Sequence, residues 1–168
     1  MTPVQMLDCC LEAFGTGKPF IILCEEGGID HAAHLNCPMA LVSKVHSLEN
    51  AVGRALEFYR KHPKETLIVV FSDHETGGLI LGKRVKDGLS IDWQPMIDEW
   101  NSDKPKSSYK MEECRALSDR CNVVWTSKTH TGGPTPVFAI GAGAEKFGCC
   151  MDNVDFFRIL SRITRLER

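Results

Sequence analysis

The stretch FIILCEEGGIDHAAH, residues 20–34, decides how the chain is organised. Its first five residues form a short, continuous apolar run whose length and β-branching predict a fully buried strand. Two glutamates and two glycines end this run, and Asp30 and His34 follow, four residues apart. The two side chains would share one face if the chain turns helical there. The stretch therefore predicts a strand exit that carries a carboxylate beside an imidazole.

The segments that follow predict a βαβ unit. A long amphipathic helix is indicated at about residues 38–61 by its apolar stripe. A second buried strand, residues 66–71, runs directly into Asp73 and His74. Strand–helix–strand order predicts a right-handed unit with parallel strands. Ligands of open α/β sheets lie at the carboxyl ends of such strands, so we expect Glu25, Asp73 and His74 at one edge.

The rest of the chain predicts a polar excursion and a return to the sheet. Residues 83–128 are more polar, hold all three tryptophans, and predict one or two helices, the clearer at about 109–120. A strand at 136–140 and a last helix capped near residues 152–153 follow. We therefore expect one partial α/β domain over residues 1–168. Its sheet would be mostly parallel and flanked by helices, with the excursion as an insertion.

Composition limits the classes of partner. The chain is 43% hydrophobic and 25% charged, as ordinary globular domains are. Its formal net charge of -2 argues against nucleic acid. No apolar run approaches the ~18–20 residues that span a bilayer, and residues 1–18 lack the pattern of a signal peptide. The eight cysteines form no Cys-x-x-Cys, which favours reduced, buried thiols but leaves disulfides open.

Three of the six histidines, His34, His74 and His130, lie beside acidic or glycine-rich segments that end or begin strands. Imidazole and carboxylate are the usual ligands of catalytic zinc, which takes three protein groups and keeps one position open. Asp30, His34 and His130 would make one such set. Asp73 and His74 would contribute two ligands to a second ion. Two ions roughly 4 Å apart are a standard clamp for displacement at phosphorus.

Each pattern taken singly has an ordinary explanation as well. An isolated Asp-x-x-x-His is most often a solvated helix start, and an Asp-His pair after a strand is often only a polar strand exit. Glu25 is a hard oxygen donor that would suit a magnesium site. The combination of the three segments is more specific than any one of them.

Together the segments resemble the alkaline phosphatase family. Residues 25–34, EEGGIDHAAH, resemble its glutamate, glycine pair, Ile-Asp-His and further histidine. Residues 71–78, FSDHETGG, resemble its strand-terminal Asp-His segment in the bacterial form, and residues 129–133, THTGG, its His-x-Gly loop. They occur in the family's order, and the resemblance covers essentially the whole chain, most loosely over residues 83–128.

This resemblance implies phosphate monoesters as substrates, two zinc ions and one magnesium ion. The implied ligands are those of the first zinc, two of the second zinc, and one of magnesium: Asp30, His34 and His130; Asp73 and His74; Glu25. His31 matches a variable position beside the site, or is a polar surface residue. Family members are typically periplasmic or secreted.

The family's nucleophilic serine sits in an Asp-Ser-Ala segment, and none occurs among these 168 residues. Also missing are the aspartate that completes the second zinc site, the remaining magnesium ligands and the arginine that grips phosphate. We therefore assign no catalytic residue, and expect a C-terminal part of such an enzyme with little activity alone. A cut sheet exposes strand edges, which favours a homo-oligomer. A metal-binding fragment without enzymatic role and a phosphodiesterase-like relative are the alternatives.

Overall fold

The computed structural model describes residues 1–14, 17–86, 88–148 and 150–164. Its helices, in chain order, are α1 Pro3–Phe14, α2 Gly28–His34, α3 Pro38–Lys61, α4 Gln94–Asn101, α5 Met111–Cys121 and α6 Asn153–Thr164. Its strands are β1 Leu67–Val70, β2 Glu75–Thr76, β3 Leu79–Leu81, β4 Lys83–Val85, β5 Gly88–Ser90, β6 Val123–Trp125, β7 His130–Thr131 and β8 Phe138–Gly141. A 3₁₀ helix, Ala144–Phe147, precedes α6.

Several predicted elements are confirmed. The long amphipathic helix begins at Pro38 and ends at Lys61, as its apolar stripe indicates. Proline suits its first turn because the missing N–H has no partner there anyway, and the basic residues of the last turn complement the helix dipole. The predicted strands at 66–71 and 136–140 form as β1 and β8. The helices predicted at 109–120 and after 152–153 form as α5 and α6.

The predicted mostly parallel sheet is not confirmed. Strands of the described residues pair in four two-stranded ladders, β1 with β8, β2 with β7, β3 with β6 and β4 with β5, and each ladder is antiparallel. Residues 20–24 form no strand, and Ile21 and Leu23 are 65% and 80% exposed. A run of apolar residues becomes a strand only where another strand takes up its hydrogen bonds. No such neighbour lies among the described residues, so the predicted parallel βαβ unit does not form there.

The chain divides into two compact units. The first holds Met1–Ala51 and His74–Gly133, and the second holds Val52–Asp73 and the described residues from Pro134 onward. Residues 83–128 lie wholly within the first unit. Its core contains the following buried side chains, against which Tyr109 and Trp125 pack: Met39, Met96, Leu117, Cys121 and Val123. In the second unit, β1 and β8 pair from Leu67 opposite Gly141 to Val70 opposite Phe138.

Gly77 makes the close approach that the first unit needs. Its φ is +89°, and a Cβ built there would lie 2.8 Å from the Trp125 ring and 3.1 Å from the carbonyl oxygen of Ala33. Its backbone N–H donates to the carbonyl of Thr129 at 3.1 Å, and its own carbonyl accepts from the N–H of Ser127 at 3.0 Å. The absent side chain therefore lets the exit of β2 lie directly against α2 and β6.

Substituting Gly77→Ala is expected to lower the free energy of unfolding by at least about 1–2 kcal/mol, the cost of a Cβ at positive φ, and by more where Trp125 cannot give way. Urea unfolding followed by circular dichroism measures it. Gly53→Ala is the matched control, because Gly53 lies inside α3 with no atom within 4 Å of its built Cβ. That variant is expected to be more stable by about 0.5–1 kcal/mol. Equal effects of the two substitutions would contradict the close approach.

Tyr109 links the two helices of the polar segment. Its hydroxyl donates to Glu99 Oε2 at 2.7 Å, and the ammonium of Lys104 lies 4.1 Å from the centre of its ring. Lys104 also contacts Glu113 at 2.5 Å, and Glu113 accepts from the backbone N–H of Lys110 at the start of α5. Burial and the hydrogen bond to Glu99 raise the pKa of Tyr109 to about 12.

The raised pKa of Tyr109 predicts a loss of stability at alkaline pH. Its folded pKa of about 12 lies above the ordinary value of about 10, so its contribution is complete below pH 10 and is lost as pH rises towards 12. Tyr109→Phe is expected to cost roughly 1 kcal/mol at neutral pH and to flatten this decline. Urea midpoints across the alkaline range check it, and parallel curves for the two proteins would refute it.

Candidate metal centre

Three elements of the first unit bring the predicted site residues together. Helix α2 carries Asp30 and His34 one turn apart, and His74 stands directly before β2. His130 opens β7, which pairs with β2 so that Thr76 lies opposite His130. Side chains that are distant in the sequence thus meet because one short antiparallel ladder joins two loops beside α2.

The three imidazoles surround one carboxylate oxygen. Asp30 Oδ1 lies 3.4 Å from His34 Nε2 and 3.6 Å from His130 Nε2. The His74 and His130 rings stack with centroids 3.5 Å apart, and the His34 and His130 centroids are 5.1 Å apart. One donor atom each from Asp30, His74 and His130 lies within 4.8 Å of the others.

The Asp30 carboxylate gives the cluster a negative charge that suits a cation. The hydrogen bond from Thr76 lowers the pKa of the Asp30 carboxyl, and the imidazoles of His34, His130 and His74 lower it further, although burial opposes them. Asp30 and His34 retain about a third of their side-chain exposure, and His130 retains 51%. The carboxylate and the two imidazoles are therefore accessible to solvent.

These donors fit zinc. A zinc ion takes imidazole nitrogen and carboxylate oxygen at about 2.0–2.2 Å, so two tetrahedral ligands stand roughly 3.3–3.6 Å apart. Both separations from Asp30 Oδ1, to His34 Nε2 and to His130 Nε2, fall in that range. His74 approaches the same carboxylate, so the structure draws together groups that the sequence assigns to two different ions.

A sequence model described as "Alkaline phosphatase" matches residues 5–166. The chain belongs to the alkaline phosphatase family. Alkaline phosphatase 4 of Bacillus subtilis is 30% identical over 88% of this chain and 40% of its own length. Alkaline phosphatase 3 of the same organism is 26% identical over 81% of this chain and 38% of its own. The match therefore spans about 40% of the length of each of these two relatives.

Solved alkaline phosphatases share the fold. A magnesium-bound variant of the enzyme from the Antarctic bacterium TAB5 superposes with a TM-score of 0.68 and 26% identity, over 95% of this chain and 40% of that one. A cold-active alkaline phosphatase from Shewanella gives 0.75 over 99% of this chain and 50% of that one, and at 22% identity it shows the fold alone. The chain is thus a mixed α/β, alkaline-phosphatase-like structure.

Two other predicted site residues of this alkaline phosphatase chain, Glu25 and Asp73, are not part of the group of converging donor atoms. Glu25 is exposed, whereas the neighbouring Glu26 is nearly buried, accepts from the N–H of Gly28 at 3.2 Å and lies 3.6 Å from Lys44. Asp73 adjoins His74 in the chain but belongs to the second unit. The ligand roles of Glu25 and Asp73 therefore stay predictions.

His31 is exposed on α2, on a different face from the pair Asp30 and His34. Ala32 and Ala33 are the buried residues of this helix. The small alanine side chains let α2 lie close to the segment that contains Gly77. Its two predicted ligands, Asp30 and His34, keep partial access to solvent. The role of His31 beside the site therefore stays a prediction.

Sequence reasoning missed three groups that hold the site together, two of which contact an imidazole. The Thr76 hydroxyl donates to Asp30 Oδ1 at 2.7 Å and lies 3.1 Å from His74 Nδ1. The carbonyl oxygen of Lys128 lies 2.5 Å from His34 Nδ1. The Glu75 carboxylate accepts from the N–H of Gly78 at 2.9 Å and from the Thr131 hydroxyl. For Thr76, the signal available in the sequence is a hydroxyl side chain two residues after the predicted ligand His74.

Glu75 is expected to hold the two loops of the site together. Glu75→Ala leaves the Gly78 N–H and the Thr131 hydroxyl without their acceptor, which costs about 1–3 kcal/mol for half-buried groups. Urea unfolding measures the loss. Glu57→Ala is the control, since Glu57 is exposed and only pairs with Arg54 at 3.5 Å; a surface pair is worth about 0–1 kcal/mol. A loss no greater than that of the control would contradict this role for Glu75.

Proposed function

We propose that this chain supplies a divalent-metal centre of a phosphomonoester hydrolase. The observation that carries the proposal is the convergence of Asp30, His74 and His130, whose donor atoms lie within 4.8 Å of one another. Family membership supports the reaction class, because the relatives that the chain matches are named as phosphatases. The donor types, carboxylate oxygen and imidazole nitrogen, support zinc.

The chain's own residues prepare the site for a cation and an anionic substrate. Asp30 stays ionised because its pKa is lowered, so it supplies a negative ligand. His34 and His130 lie near the Asp30 oxygen, and all three side chains keep access to solvent. A zinc ion bound there would polarise a phosphoryl oxygen and stabilise the charge that develops on the displaced oxygen.

The wider ligand set follows the family pattern. Asp30, His34 and His130 would hold one zinc, supported by donor separations of 3.4 and 3.6 Å. Asp73 and His74 would contribute to a second zinc, because they adjoin one another at the exit of β1. Glu25 would contribute to a magnesium site.

Phosphate monoesters are the proposed substrate class. Streptomycin-6-phosphate phosphatase of Streptomyces griseus is 28% identical over 84% of this chain and 28% of its own length. A relative named for a phosphorylated antibiotic supports a small ester substrate. The His130 side chain is half exposed, so such a ligand can reach the cluster from solvent.

The 168 residues contain no Asp-Ser-Ala segment, which is where the family carries its nucleophilic serine. We therefore expect this chain alone to bind zinc while hydrolysing p-nitrophenyl phosphate far more slowly than a complete family enzyme. Turnover at ordinary enzymatic rates, about 1–1000 per second, would refute the expected inactivity without touching metal binding.

Zinc titration by calorimetry tests the metal centre. Asp30→Asn is expected to weaken zinc binding by more than the roughly 10–100-fold that loss of an outer hydrogen-bond partner costs, because it removes the negative ligand itself. Asp155→Asn is the matched control, since Asp155 only pairs with Arg158 at 3.0 Å on α6 of the second unit. Equal affinities of the two variants, or no binding by the unsubstituted chain, would refute the proposal.

A second candidate function is a self-associating, metal-binding chain without turnover. Large apolar side chains are exposed in both units, including Leu23 at 80% and Phe138 at 63%. Such surface favours homo-oligomers, in which it becomes buried. Light scattering during size exclusion distinguishes a monomer from an oligomer, and a monomer at high concentration would rule out this second function.

A further inference from the structure

The Thr76 hydroxyl lies between two proposed metal ligands. It is 2.7 Å from Asp30 Oδ1 and 3.1 Å from His74 Nδ1. A hydroxyl has one proton to donate and lone pairs to accept with, whereas an ionised carboxylate only accepts. Asp30 Oδ1 accepts the shorter of the two contacts, so the Thr76 proton points to Asp30.

This direction fixes the proton on His74. Because the single Thr76 proton is used at Asp30, the contact with His74 Nδ1 is satisfied only if Nδ1 carries the hydrogen and donates it. A neutral imidazole with hydrogen on Nδ1 has its lone pair on Nε2. We propose that Thr76 is a positioning residue: it holds His74 in the Nδ1-protonated form, so that Nε2 is the nitrogen offered to a metal ion, and it orients the Asp30 carboxylate at the same time.

His34 follows the same rule through a different acceptor. Its Nδ1 lies 2.5 Å from the carbonyl oxygen of Lys128, and a carbonyl can only accept. Nδ1 of His34 therefore carries the hydrogen, and Nε2 faces Asp30 Oδ1. Two of the three imidazoles are thus fixed in the same form by neighbours that are not themselves ligands, which is how ligating histidines are usually oriented.

Thr76 also stands in the strand pair that carries the third imidazole. It lies directly opposite His130 in the β2–β7 ladder. One residue therefore touches the carboxylate and one imidazole through its hydroxyl, and fixes the position of another through its backbone. A purely structural role in β2 would require the backbone and the β-branched shape, but not the hydroxyl. Valine keeps the shape and removes the hydroxyl, so it separates the two roles.

The first test uses the metal-free chain. Two-dimensional ¹⁵N–¹H spectra of the histidine rings, recorded at an alkaline pH where imidazole is neutral, report which nitrogen carries the hydrogen. His74 is expected to be protonated at Nδ1 in the unsubstituted chain and in Thr76→Ser, and to lose this preference in Thr76→Val. Hydrogen on Nε2 of His74 in the unsubstituted chain would overturn the inference, whether or not the valine variant folds.

The second test measures zinc affinity by competition with a chromophoric chelator. Its ligand assignment rests on the proposed function, but the ring spectra do not. Thr76→Val is expected to bind zinc about 10–100-fold more weakly, and Thr76→Ser within about threefold of the unsubstituted chain. Thr126→Val is the control, because the Thr126 hydroxyl donates to the carbonyl of Gly78 at 3.2 Å and to none of the proposed ligands among the described residues.

The outcomes separate the two ideas. Failure of the serine variant to rescue, or an equal loss in Thr126→Val, would overturn the positioning role of Thr76. Absence of zinc binding in the unsubstituted chain, with His74 still protonated at Nδ1, would overturn the metal centre and leave the hydrogen-bond assignment in place. Retention of both the ring protonation and the affinity in Thr76→Val would show that the hydroxyl is dispensable.

Discussion

The candidate site depends on the pairing of β2 with β7. This ladder has only two residue pairs, Glu75 with Thr131 and Thr76 with His130. The β3–β6 ladder brings the same two segments together a few residues further along the chain, and the Glu75 carboxylate adds side-chain bonds across the junction. His74 and His130 therefore stack because the backbone beneath them is fixed twice.

Helix α2 brings the charge to this junction. Asp30 and His34 stand one turn apart, and the opposite side of the helix is made of alanine. Gly77 lets the chain approach that helix so closely that a Cβ would meet the Ala33 carbonyl at 3.1 Å. Small residues on both sides of the contact thus set the distance between a carboxylate on one element and imidazoles on two others. A side chain at residue 77 would therefore crowd α2, which carries both Asp30 and His34, at its contact with the exit of β2.

The sequence predicts the long helix, β1, β8 and the helical spacing of Asp30 and His34, because each follows from local periodicity or a local cap. Its error at residues 20–24 has a non-local cause: an apolar run shows that a segment is suited to a strand, but not that a partner strand is present. Thr76 was missed for a related reason. The register that places Thr76 opposite His130 is a tertiary property. Nothing in residues 71–78 indicates which segment of the chain will pair with them.

The hydrogen bond between His34 Nδ1 and the Lys128 carbonyl determines which nitrogen of His34 faces the Asp30 carboxylate. With hydrogen on Nδ1 of His34, Nε2 faces the Asp30 oxygen at 3.4 Å, and in the neutral imidazole both of these atoms are acceptors. Such a contact is repulsive when the imidazole is neutral, and a cation between the two atoms relieves it. In the proposed arrangement, the Nδ1 hydrogens of His34 and His74 are used in the bonds to the Lys128 carbonyl and the Thr76 hydroxyl. They are therefore not donated to the Asp30 carboxylate. A proton on Nε2 and a metal ion would therefore compete for the same position between His34 and Asp30.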